Sequence, residues 1–150
     1  MNVKRKYKEY LKLNRNVFIA FAADIIVSAT VAQLLADQQH YLNTTFTLIA
    51  DYATFFSVLG FLLYRDNRKK YKLDSGETNW SLLKTDMVKM ISSLGIAEVV
   101  YTVVRWFSQY YFLTIEYDPY LASIVGQIIS IAVYTATLNI SIKVSKLYKD

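Results

Sequence analysis

The sequence has no cysteine, one histidine, one proline and four glycines among its 150 residues. Without cysteine, the chain cannot form a disulfide framework, a thiolate zinc or iron–sulfur site, or a cysteine nucleophile. A single histidine argues against a His-rich metal site and against a Ser-His-Asp triad. The sequence also contains no glycine-rich phosphate loop, HExxH motif or nucleophile elbow. It therefore predicts a protein that is not an enzyme and that carries no cofactor or metal.

Charge is also scarce, since charged residues make up 19% of the chain against about a quarter in an average soluble protein. Four apolar stretches are each long enough to cross a bilayer, and the third is the most polar: residues 17–36, 41–64, 82–107 and 119–142. Helices of a soluble bundle would each show a polar outer face, and three of these stretches have none. The predicted fold class is all-α, a polytopic integral membrane protein with four transmembrane helices in two hairpins.

Basic residues cluster on one side of this arrangement. Fourteen of the 17 Lys and Arg residues lie in residues 1–16, in the loop between the second and third helices, and in residues 143–150. The other two connections, residues 37–40 and 108–118, contain none. The positive-inside rule therefore predicts a protein of the cell (cytoplasmic) membrane with both termini and the middle loop in the cytoplasm.

The first sixteen residues are basic and place Val3, Tyr7, Tyr10 and Leu11 on one helical face. This pattern predicts either an amphipathic helix that contacts membrane lipids at the anionic inner leaflet, or a solvated basic tail that only sets the topology. Because topology already accounts for the positive charge, we expect no nucleic-acid binding. Residues 143–150 are the predicted cytoplasmic tail.

Four ionisable residues fall inside the predicted membrane helices: Asp24, Asp51, Glu98 and Arg105. Each costs a few kcal/mol in lipid, so each needs a partner or a function. One interpretation pairs Glu98 or Asp51 with Arg105 as a structural ion pair. The other makes the three acids stations on a path for a cation, a proton or a polar head group. Three acids and one base leave a surplus of carboxyl groups, so at least one is expected to be protonated or to meet water.

The predicted fourth helix carries no charge but has a continuous polar face, with residues three and four apart: Ser123, Gln127, Ser130, Tyr134, Thr137 and Ser141. Such a face either packs against neighbouring helices through close approach and hydrogen bonds, or lines a partly hydrated groove. Both interpretations turn the stripe towards the inside of the bundle and the Ile, Leu and Phe residues towards lipid.

The layout of four helices, two hairpins and a basic middle loop resembles the GtrA-like family of small membrane proteins. The residues that carry the resemblance are Tyr120-Leu121-Ala122 at the start of the fourth helix and Leu138-Asn139, followed by Lys143, at its end. The resemblance implies a four-helix fold and a role in moving polyprenyl-linked sugars across the membrane. It assigns no functional residue in this chain.

Two functional hypotheses follow. The first is a small transporter or flippase-like protein that moves a polar or lipid-linked substrate past the acidic residues. Because four thin helices enclose little space, such a protein is expected to be a homo-oligomer. The second is a non-catalytic subunit of a larger membrane complex, such as a membrane-bound oxidase or monooxygenase, in which the polar faces hold helices together.

Overall fold

The computed structural model describes the backbone of residues 3–145, and within this range the side chains of all residues except 3–7, 9, 10, 13, 90, 91, 93, 94, 138, 139 and 141–145. The described chain consists of four helices with short connections: α1 (Val3–Leu34), α2 (His40–Asp66), α3 (Trp80–Thr114) and α4 (Pro119–Ser145). The predicted all-α class is confirmed.

Each helix packs against two others and so the four form a closed ring. α1 packs on α2 and α4, and α3 packs on α2 and α4. The α1–α2 and α3–α4 hairpins thus lie side by side, and their facing sides enclose the centre of the bundle. Polar residues on those inner sides are forced to find partners on neighbouring helices.

Three of the described helices contain a segment long and apolar enough to cross a membrane: Asn14–Leu34, His40–Asp66 and Pro119–Thr137. This is compatible with a membrane location. Within its described residues, α3 contains no segment of this kind. The helix is also interrupted at Gly95, whose φ of 35° and ψ of −106° are not helical. The fourth predicted span is therefore not established by length and composition.

The surface and the interior have opposite polarity to those of a soluble bundle. Large apolar side chains such as Phe18 and Leu34 are 74% and 79% exposed, while the interior holds a set of fully buried polar side chains, among them Asp24, Asp51 and Arg105. In water, the exposure of so many apolar side chains would be unfavourable. In lipid, these side chains contact the acyl chains, and the polar side chains stay in the interior of the bundle.

The helix boundaries differ most from the predicted ones at the start of α1 and at the end of α3. α1 runs without a break from Val3 to Leu34, so the basic segment before residue 17 continues the same helix, consistent with the lack of glycine and proline there. The predicted apolar face of this segment falls mostly on side chains outside the described ones, although Leu11 is half exposed. α3 continues to Thr114, well beyond residue 107, and Leu113 in this extension is buried.

The middle loop is fixed to the start of α3. The Asn79 side chain accepts a hydrogen bond from the Leu82 backbone at 3.1 Å and so caps α3. Tyr71 is buried, and its hydroxyl donates to Asp86 Oδ2 at 2.7 Å, beside the Lys70 ammonium at 2.5 Å. The hydrogen bond from Lys70, with that from Tyr71, lowers the pKa of the Asp86 carboxyl below its usual range.

Candidate functional site

The centre of the bundle contains a buried ion pair between α2 and α3. Arg105 Nε donates to Asp51 Oδ2 at 2.7 Å, and Arg105 Nη2 lies 3.4 Å from Asp51 Oδ1. Both residues are 1% exposed. Of the two pairings that the sequence left open for Arg105, the structure has the one with Asp51, in the two-contact geometry that suits a guanidinium and a carboxylate.

The remaining donors of Arg105 bind α3 and α4. Nη1 donates to Gln109 Oε1 at 2.6 Å, and Nη2 donates to Ser123 Oγ at 2.9 Å. Gly126 makes this possible, because a Cβ atom there would lie 3.2 Å from Arg105 Nη1 and 3.1 Å from the Gln109 backbone nitrogen. The glycine therefore lets α4 approach α3 closely enough to enclose the guanidinium.

The network continues from Gln109 to the connection between α1 and α2. Gln109 Nε2 donates to Asn43 Oδ1 at 3.0 Å, and Asn43 Nδ2 donates to the carbonyls of Ala32 and Leu35 at 2.9 and 3.0 Å. Asn43 thus caps the last turn of α1, whose carbonyls have no helical donor. Asn43 also begins an Asn-Thr-Thr glycosylation sequon, but its side chain is buried in these contacts.

On the other side of the ion pair, Ser28 joins two aspartates. Its Oγ lies 2.7 Å from the Asp24 carbonyl and 3.1 Å from Asp24 Oδ1, and it also contacts Asp51 Oδ1. Gln127 Nε2 donates to Asp24 Oδ2 at 2.5 Å. The ion pairs of the described residues do not include Asp24, so its buried carboxyl is held by neutral groups.

A cavity of about 10 Å³ adjoins the two aspartates, close to the volume needed for one water molecule. It is lined by three carboxyl groups and five aromatic rings: Asp24, Asp51, Glu98, Phe21, Tyr52, Phe55, Tyr101 and Tyr134. The rings of Phe21, Tyr101 and Tyr134 lie 6.1 to 6.3 Å apart. Tyr52 instead bonds through its hydroxyl to Thr102.

Two buried polar atoms have no hydrogen-bond partner among the described residues: the hydroxyl of Tyr101, a residue that lines the cavity, and Oε1 of Gln127, whose Nε2 binds Asp24. Tyr101 is 4% exposed and Gln127 is fully buried. A buried polar group without a partner is costly and uncommon in proteins, so these two atoms mark the place where a small hydrogen-bonding species would be stabilised.

The structure brings together the four ionisable residues predicted as a site. Asp24, Asp51 and Arg105 share one hydrogen-bonded network, while Glu98 lines the same cavity as the two aspartates and lies beside the Tyr52 side chain. Among the described residues, no group of His, Cys, Asp and Glu side chains is arranged to hold a metal ion. Buried carboxyl groups that line a water-sized cavity can bind protons or hold a small polar species.

The polar stripe of α4 is turned inward but its members play different roles. Ser123 and Gln127 bond to other helices, whereas Ser130 and Thr137 donate to carbonyls of α4 itself, at 2.6 and 2.8 Å. Tyr134 lines the cavity. Only the first half of the stripe thus connects helices, and the side chain of Ser141 lies outside the described residues.

Sequence reasoning missed Gln109, Tyr101 and Gly126. Gln109 was placed in an outer loop, although it lies four residues after Arg105 and continues the polar face of the third helix. The four-residue spacing from Tyr101 to Arg105 and Gln109 was the signal that could have found both side chains. No sequence signal marks Gly126, whose role depends on the side chain opposite it.

Comparisons of the chain with protein-family models, with curated proteins and with solved structures found no match.

Proposed function

We propose that the chain crosses the membrane four times, with both termini on the cytoplasmic side of the cell membrane. The support for the fourth span is the segment of α3 after Gly95, which presents an exposed apolar stripe of Ile96, Val99, Val103 and Phe107. Its polar residues Glu98, Arg105 and Gln109 are turned away from that stripe. Nineteen helical residues from 96 to 114 extend about 28 Å, close to the thickness of the hydrocarbon core.

The absence of cysteine allows a direct test of this topology. The test uses two single variants, Lys69→Cys in the middle loop and Glu116→Cys in the α3–α4 connection. Intact cells that express each variant are treated with a membrane-impermeant maleimide. We expect labelling of Glu116→Cys in intact cells and of Lys69→Cys only after lysis. Labelling of both positions from the same side would contradict a membrane-spanning α3.

We infer that the protein is a transporter in which the acidic residues bind the transported or coupling cation. The observation that carries this proposal is the cavity in the centre of the bundle, which is lined by three carboxyl groups, of which Asp51 is paired with the Arg105 guanidinium. Buried carboxylates that outnumber their basic partners have a high free energy in lipid, and binding of a cation would lower it. The cavity has room for a proton-carrying water or a small cation, whereas a polyprenyl-linked sugar, as the resemblance to the GtrA-like family implies, would require the helices to separate.

Ion flux into liposomes tests the transport function. Purified protein is reconstituted into liposomes, and uptake is driven by a membrane potential with H⁺, Na⁺ or K⁺ as the available cation, each measured with an enclosed dye that is selective for that ion. We expect flux above that of protein-free liposomes, reduced at least tenfold by Asp51→Asn or Glu98→Gln. Ser130→Ala is the matched control, because Ser130 is buried on α4 but bonds only to its own helix. Flux equal to that of empty liposomes for all three cations would refute the proposal.

A second candidate is the non-catalytic subunit of a membrane complex, and one observation favours it. The network around Arg105 joins all four helices, and it provides partners for the guanidinium on three of them. Such a network is also what a purely structural bundle needs. Extraction in mild detergent followed by native mass measurement distinguishes the two: a homo-oligomer or a single chain supports the transporter, and a large assembly of fixed stoichiometry supports the subunit.

A further inference from the structure

The hydroxyl of Ser28 lies at the centre of a hydrogen-bond conflict. It has one hydrogen, but three oxygen atoms surround it: the carbonyl and Oδ1 of Asp24, and Oδ1 of Asp51. A hydroxyl donates one hydrogen bond and accepts others only from groups that carry a hydrogen. If both aspartates were ionised, the single hydrogen of Ser28 could point to only one of the two carboxylates. An oxygen of the other carboxylate would then face the hydroxyl oxygen with no hydrogen between them, in a fully buried site.

We propose that Asp24 is a proton-binding site: it carries a proton on Oδ1, donates it to Ser28 Oγ, and Ser28 donates in turn to Asp51. The two carboxyl groups are distinguished by their other partners. Asp51 receives two contacts from the Arg105 guanidinium, which favours its ionised form. Asp24 receives only the neutral amide of Gln127, on Oδ2, which leaves Oδ1 free to hold the hydrogen.

The cavity connects this proton to a third carboxyl group. Asp24 and Glu98 line the same water-sized space, and so does Tyr101, whose buried hydroxyl has no partner among the described residues. One water molecule there would give Tyr101 a partner and would join Asp24 to Glu98. The titratable or charged groups that face Asp24 come from the other three helices: Asp51 and Tyr52 on α2, Glu98, Tyr101 and Arg105 on α3, and Tyr134 on α4.

The same geometry allows the proton to move without leaving charge on the serine. When the Asp24 proton passes to Ser28 Oγ, the original Ser28 hydrogen passes to Asp51 Oδ1, and the hydroxyl is regenerated. Asp24 is then ionised and can take up a proton from the cavity. The ligand of this site is therefore a proton, which specifies the cation of the proposed transport function on which this inference rests.

Infrared spectroscopy of the whole protein in lipid at neutral pH tests the assignment, because only a protonated carboxyl group gives the high-frequency C=O stretch. We expect such a band in the wild-type protein, an isotope shift of the band when aspartate is labelled, and its loss in Asp24→Asn. In Glu98→Gln, the matched control, the aspartate band should persist. In Ser28→Ala the band should shift, because the acceptor of the Asp24 hydrogen bond is removed.

Three results would overturn the inference: no protonated carboxyl band in the wild type, a band that does not shift with labelled aspartate, or an aspartate band that persists in Asp24→Asn. The isotope label is the second measurement. It is applied to the wild-type protein, so it can be interpreted even if Asp24→Asn does not fold. The infrared experiment and the flux assay can succeed or fail independently of each other. A band on Asp24 without ion flux would refute transport and leave the proton site standing, and flux without the band would do the reverse.

Discussion

Removing the Arg105 guanidinium is the most informative perturbation of this bundle. Arg105→Met keeps most of the side-chain volume but leaves the Asp51 carboxylate buried without its cation, and it removes the donor to Gln109 Oε1 and the donor to Ser123 Oγ. Removing one partner of a buried ion pair costs about 3–5 kcal/mol. Hydrogen bonds inside membrane proteins contribute about 0.6 kcal/mol each, so the two neutral contacts add little. The charge imbalance therefore dominates the expected loss.

A double-mutant cycle separates these contributions. The free energy of unfolding is measured by equilibrium titration with denaturing detergent in mixed micelles, for Arg105→Met, for Asp51→Asn and for the double variant. We expect each single variant to lose about 3–5 kcal/mol, and the double variant to lose less than the sum by about 3 kcal/mol, since neither charge is then left unpaired. Arg15→Met is the control, because the Arg15–Asp66 pair at 2.9 Å is exposed on the arginine side and should contribute about 1 kcal/mol or less.

Additivity would refute this reasoning. If Arg105→Met cost about as little as Arg15→Met, or if the two single losses summed to that of the double variant, the charges of Arg105 and Asp51 would not be coupled. The network would then act only through its packing, and the interpretation of the bundle centre as an electrostatic site would have to be abandoned.

Two further predictions concern the close helix contact at Gly126 and the contact that holds the middle loop to α3. Gly126→Ala places a Cβ atom 3.2 Å from Arg105 Nη1 and should lower the free energy of unfolding by about 1–3 kcal/mol. Gly60→Ala should raise it by about 0.5–1 kcal/mol in the same titration, since its Cβ meets only a flexible methionine at 3.5 Å; an equal loss in both would contradict the close-approach argument. The lowered pKa of Asp86, bonded to Lys70, means that its carboxylate stabilises the fold above its usual pKa and that this contribution is lost as the pH falls through the lowered value. Asp86→Asn should therefore show a weaker loss of stability on acidification than the wild type, and parallel acid-unfolding curves would argue against the contact.

The number and order of the helices could be predicted from the sequence, because they depend on properties that lie along the chain. The helices follow from long apolar runs and the polar connections between them. The inward face of α4 follows from the three- and four-residue spacing of its polar residues. The end of α3 could not be placed as well. Residues 108–114 are polar and aromatic, and they remain helical because Leu113 and Gln109 are buried against other helices.

The residues of the candidate site were predicted more fully than their connections. Asp24, Asp51, Glu98 and Arg105 were recognisable because ionisable groups in apolar runs are unusual. Which acid pairs with Arg105 was left open, and Ser28 was not connected to either aspartate. Such pairings depend on the rotation of each helix and on its vertical position relative to its neighbours, which no local spacing encodes.

The sequence by itself determined an all-α chain with apolar helices, and it determined which ionisable residues lie within those helices. Only the tertiary structure decided that Arg105 binds Asp51, that Asp24 is left with neutral partners and that Glu98 shares a cavity with both. The physical reason is that the apolar periodicity of a helix fixes which face it buries, whereas the contacts between buried faces depend on close approach at particular points, such as Gly126, where one missing side chain allows a guanidinium on another helix to be enclosed.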